Sequence, residues 1–214
     1  MTISPPRVVH GPLLLWDIGG YTSFLQAVAT AHADDAFAGG AVPPAYAILS
    51  NLLDGIVDGV VPPLTLAKLE GDAVFVYAAD DALVPRGPDL LAWLAASYAG
   101  FEARLGQARD LWSCDCDACI RLDVLDLKAV LHAGPFVLSG IAGREELSGP
   151  EVVLAHRLLK SSAARVAGTS AYALLTAAAV GAYEVPTATG RTLTEAVEHY
   201  APVDCVVFDL RVPA

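Results

Sequence analysis

The sequence predicts a single α/β domain built on a split βαβ plan. Its 214 residues suit one ordinary domain and are marginal for two. Hydrophobic residues make up 55% and charged residues 17%, so a sizeable core can be buried. Strand-like and helix-like runs follow one another with no repeat and no low-complexity tract to divide two units. The net charge of −11 repels polyphosphate backbones and argues against general nucleic-acid binding, while leaving small ligands open. The first residues carry no basic segment followed by a long apolar run, so no secretory signal is read and a cytoplasmic location is expected.

The first strand is expected over Arg7 to Ile18, where the apolar run Leu13-Leu14-Leu15-Trp16 ends at Asp17 and the pair Gly19-Gly20. From Tyr21 to about Ala33 the spacing of Phe24, Val28 and Ala31 predicts a helix that Thr22 or Ser23 would cap. A second helix starts near Pro44 and carries Leu49, Leu52, Leu53 and Ile56, stopping near Gly59 and Pro62-Pro63. Leu64 to Leu69 and Ala73 to Ala78 read as strands of a tight hairpin around Glu70-Gly71-Asp72. A long helix is expected from Pro88 to Arg109, with Leu91, Leu94, Tyr98, Phe101 and Leu105 on one face.

After a cysteine-rich loop at 113–119, Arg121 to His132 and Phe136 to Ile141 read as two strands separated by a turn at Gly134-Pro135. Helices are expected from Gly149 to Ser162 and from Thr169 to Val180, then a last strand from Val203 to Leu210. The apolar window Val166 to Tyr183 is rich in small residues and interrupted by hydroxyls, which favours a buried helix over a membrane span.

In a split βαβ arrangement the strand after the hairpin turn lies antiparallel beside the first strand, which brings Asp17 and Asp72 to one sheet edge. Two close carboxylates repel unless a divalent cation lies between them, and hard oxygen donors favour magnesium or manganese. Taken singly, Asp17 also suits a helix cap and Asp72 an ordinary turn.

Leu15-Trp16-Asp17-Ile18-Gly19-Gly20-Tyr21-Thr22 resembles the metal-binding signature F-D-I-x-G-F-T of class III adenylate and guanylate cyclase catalytic domains. Lys68-Leu69-Glu70-Gly71-Asp72 is similar to that family's K-x-x-G-D. Leu131-His132-Ala133-Gly134 resembles G-x-H-x-G, and Gly149 to Leu158 resembles G-x-x-V-N-x-A-x-R-L. The combination of these stretches with the cysteine loop looks like the bacterial cyclase-related family of unknown function DUF2652. The resemblance spans nearly the whole chain.

It implies a ferredoxin-like, mostly antiparallel sandwich over residues 1–214 that works as a homodimer with composite sites. It further implies two magnesium or manganese ions on Asp17, Asp72 and the Ile18 carbonyl, a purine read by Lys68 and Glu146, and Arg157 as the catalytic residue beside the phosphates. Val153 departs from the pattern: valine stands where cyclases place an asparagine that orients the ribose, and it offers no hydrogen bond. Loss of one such preorganised group costs on the order of 100- to 1000-fold in rate.

Plainer roles stand beside these. Lys68 can pair with Glu70, Arg157 with Glu151, and His132 and His156 can be structural. Cys114, Cys116 and Cys119 offer three thiolates within six positions, a set suited to zinc whose fourth ligand is missing locally, with a redox-active thiol group or reduced bystander cysteines as the alternatives. Cys205, a histidine, a carboxylate or a partner-chain residue would supply it. Three functions therefore compete: a metal-dependent purine nucleotide cyclase, a catalytically degenerate nucleotide-binding or sensor dimer, and a zinc-stabilised interaction domain.

Overall fold

A computed structural model describes residues 5–34, 39–79, 83–110, 114 and 116–212. The strands are β1 (Arg7–Gly19), β2 (Thr65–Glu70), β3 (Ala73–Tyr77), β4 (Asp126–Ile141), β5 (Arg144–Ser148), β6 (Tyr172–Thr176), β7 (Arg191–Glu195) and β8 (Val203–Asp209). They form one sheet in the order β2-β3-β1-β4-β6-β8-β7, with β5 pairing β4. Every pairing is antiparallel except β4 with β6. The helices are α1 (Tyr21–Ala31), α2 (Pro44–Val60), α3 (Pro88–Asp110), α4 (Pro150–Leu158), α5 (Ala163–Ala167) and α6 (Ala177–Ala182).

Strand alternation sorts the core onto two faces. Leu14, Trp16 and Ile18 of β1 face the larger cluster, with Leu49, Leu52 and Ile56 of α2 and Leu94, Phe101 and Leu105 of α3. Leu13 and Leu15 face the other way, with Phe75 and Tyr77 of β3 and Val152 and Ala155 of α4. Beyond them, Leu154 and Leu158 of α4 and Ala163 and Ala167 of α5 cover β6 and β8. All the β1 side chains from Leu13 to Trp16 are fully buried, which fixes register and carries Asp17 to a defined place.

The expected helix over Thr169 to Val180 is instead the buried central strand β6 followed by the short α6. An apolar run buried on both faces carries no period, and β6 contributes Ala173 and Leu175 to one cluster and Tyr172 and Leu174 to another. The expected turn at Gly134-Pro135 is also absent, since β4 runs straight through and pairs with β1 from Asp126 to Leu138. Pro135 falls between the β6 pairing, which ends at Leu131, and the β5 pairing, which begins at Val137. On that side no strand awaits the N–H that proline lacks. The helix expected from Gly149 to Ser162 ends at Leu158, and a separate α5 follows. The charged strands β5 and β7 are additions to the sequence reading.

Among the described residues no helix is long and apolar enough to cross a membrane.

Candidate functional site

Antiparallel pairing of β1 with β3 sets Asp17 opposite Ala73, next to the hairpin turn, and the Ile18 N–H donates to the Asp72 carbonyl at 3.0 Å. Gly71 sits at the first central position of that two-residue turn with φ 68°, a conformation glycine adopts without strain. The two carboxylates thereby share one hollow, lined also by Gly19, Gly20, Lys128 and Lys160. Burial, and next the Asp17 charge, push the Asp72 carboxyl above its ordinary range; Asp72's own backbone hydrogen bond and Lys128 pull the other way. Lys128 reaches across from β4, its Nζ 3.2 Å from Asp17 Oδ1. Sequence reasoning missed this ammonium, although the register that pairs Asp17 with Lys128 follows once β4 is known to neighbour β1.

Gly20 starts α1 with φ 79°, and no side chain caps the helix. The expected capping by Thr22 or Ser23 is replaced by a reversed bond, in which Ser23 Oγ donates to the Gly20 carbonyl at 2.8 Å. An added Cβ at Gly20 would stand 2.2 Å from the Val124 carbonyl oxygen, so the turn after Asp17 admits only glycine.

Lys68, on β2, pairs with Glu70 at 2.6 Å, and Glu70 also meets His156 Nε2 at 2.9 Å. Burial opposes ionisation of Glu70, but Lys68 and His156 outweigh it and hold the carboxyl below its usual value. His156 donates from Nδ1 to the Val152 carbonyl at 2.7 Å and packs edge-on against Phe75. Glu146 lies half-buried on β5 opposite Ser139.

Arg157 is not paired with Glu151; its Nη1 donates to the Glu198 carbonyl at 2.7 Å. Glu151 instead accepts from His132 Nε2 at 2.7 Å, while His132 Nδ1 lies 2.9 Å from Thr176 Oγ1. A carboxylate only accepts, so Nε2 carries the proton and the Thr176 hydroxyl donates to Nδ1. Burial favours this neutral ring and lowers the His132 pKa, against the pull of Glu151. Val153 is 46% exposed on α4.

In the cysteine loop, positions 113 and 115 lie outside the described residues. Cys114, Cys116 and Cys119 are not joined in disulfides. They converge on His32, just beyond α1, whose Nε2 lies 3.6, 3.3 and 3.3 Å from their respective sulfurs. One ligand atom from each residue lies within 4.8 Å of the others, so the four can share one cation. Cys205, buried on β8, is not among them. His32 lies more than 80 positions from the cysteines, too far for spacing alone to single it out.

The sheet order and this hollow place the molecule among proteins with the class III nucleotidyl cyclase fold. It aligns with the adenylyl cyclase CyaB from P. aeruginosa at a TM-score of 0.65 and 16% identity, over 96% of this chain and 97% of that one. The guanylyl cyclase Cya2 aligns at 0.60 and 14% identity, over 96% and 93%. A class III adenylyl cyclase-like ATP-binding protein from Pseudomonas aeruginosa aligns at 0.56 and 16%, over 88% of this chain and 37% of that one.

Within that class, residues 49–167 match the family described as protein of unknown function DUF2652, and the chain belongs to it. An uncharacterized protein of Mycobacterium tuberculosis, Rv2561/Rv2562, is 33% identical over 116 residues, which cover 53% of this chain and about half, 51%, of that relative.

Proposed function

We propose that the chain binds a purine nucleoside triphosphate through divalent cations held by Asp17, Asp72 and the Ile18 carbonyl, in a homodimer with composite sites. The observation that carries this reading is the convergence of Asp17 and Asp72 on one hollow, where burial and the Asp17 charge raise the Asp72 carboxyl. Three oxygen donors of this kind suit magnesium or manganese. When bound, such ions neutralise the triphosphate and polarise its α-phosphoryl group.

The protein's own residues then orient the ligand. Lys68 and Glu146 read the purine, Lys68 being positioned by Glu70, which His156 in turn holds. Arg157, whose guanidinium suits phosphate oxygens, acts on the phosphates.

Binding with little turnover is favoured over efficient cyclisation. Val153 gives the ribose no partner, and Arg157 is engaged by Glu198. Any cyclic nucleotide and diphosphate therefore form slowly.

Calorimetry with ATP or GTP and manganese tests the reading. Asp17→Ala and Asp72→Ala are each expected to abolish manganese-dependent binding, and unchanged affinity in both variants overturns it. Analysis for cyclic nucleotide then measures turnover separately from binding.

A further inference from the structure

We propose that His32, Cys114, Cys116 and Cys119 form a tetrahedral zinc site that fastens the loop after α3 to the C-terminal end of α1. A tetrahedral zinc with Zn–S near 2.3 Å and Zn–N near 2.0 Å places its nitrogen and sulfur ligands about 3.5 Å apart. The His32 Nε2 to sulfur distances of 3.3, 3.3 and 3.6 Å lie close to that spacing, and all four ligand atoms are within 4.8 Å of one another.

The donor chemistry selects the metal. Three thiolates and an imidazole form a soft to borderline set that suits zinc and disfavours magnesium or calcium. Four protein ligands close the coordination sphere, so the site is structural and leaves no position for substrate.

Cys119 is fully buried, and its backbone N–H donates to Cys116 Sγ at 3.4 Å. Leu122 and Leu125, just beyond the loop, pack in the same core cluster as Phe24 and Val28 of α1. Ala118 and Cys119 are buried in that cluster and Cys114 and Cys116 pack against it, which seats the loop beside the end of α1 with its sulfurs gathered at His32.

The site lies apart from Asp17 and Asp72, at the opposite end of α1, and its test requires no nucleotide. Full-length protein purified without chelator is expected to contain about one zinc per chain by elemental analysis, with the three thiols slow to react until chelator is added. Cobalt substituted for zinc is expected to give tetrahedral d–d bands and sulfur-to-cobalt charge transfer.

His32→Ala is expected to weaken zinc at least about 100-fold, because loss of even an outer-sphere partner costs 10- to 100-fold. His32→Cys should retain the metal and shift the cobalt spectrum toward a four-sulfur pattern. That readout keeps the test decisive if the alanine variant fails to fold. Absence of metal with all thiols freely titratable in the folded protein overturns the proposal. So does full zinc retention with an unchanged cobalt spectrum in both His32 variants.

Discussion

Asp72 carries a cost in the metal-free protein that its proposed role explains. Its pKa is raised, so ionisation is less favourable in the fold than in the unfolded chain. Stability is therefore lost as pH rises from the ordinary 3.8 through the raised value, and the loss persists at neutral pH. Asp72→Asn is expected to stabilise the metal-free protein at pH 7 by at most about 0.5 kcal/mol, since the group is only half-buried and solvent screens much of the effect. In manganese the order reverses, because only the wild type gains from the ion. Urea unfolding with and without manganese measures both signs. Asp17 and Asp72 were legible in the sequence because each ends an unmistakable local unit, a buried strand and a tight hairpin. Lys128 and His32 were not, because strand register and tertiary proximity brought them in. The plain pairing of Lys68 with Glu70 could be read from the sequence, while the Arg157 partner offered there, Glu151, gives way to Glu198, forty-one positions away.

The elements hold these residues through backbone contacts that tolerate little change. Gly20 turns the chain from β1 into α1 while touching the Val124 carbonyl of the 3-10 turn Leu122–Val124. Gly20→Ala is expected to cost about 1–3 kcal/mol through the left-handed backbone alone, and more through the contact with that carbonyl. A fall in the thermal midpoint accompanied by weaker manganese-dependent nucleotide binding would show that the turn supports both stability and site. The amphipathic helices α2 and α3 and the hairpin were readable from period and turn chemistry. β6 was not, because small apolar residues buried on both faces leave helix and strand indistinguishable by pattern. β5 and β7 escaped notice because Arg144-Glu145-Glu146 and Arg191-Thr192 look solvated, which is what strands at the sheet margin require.

For the molecule as a whole, β4 is the organising strand, bordering β1 along most of its length and both β6 and β5 on its other side. It carries Lys128 near one end and His132 further along, so the sheet itself sets their separation. If the proposed composite sites form between two copies, nucleotide with manganese should shift sedimentation toward dimer, by the linkage between ligand and assembly. An unchanged distribution at saturating ligand would argue for a site complete within one chain. Lys128 adds a last consequence. The chain's −11 charge draws divalent cations toward it, yet the ammonium already rests against Asp17. At the proposed metal site an incoming ion would have to displace this resident cation before it gains both carboxylates, so the protein would carry its own competitor. Occupancy of that proposed site would then have a concentration threshold set by a lysine, and shortening or neutralising that side chain would lower the set point.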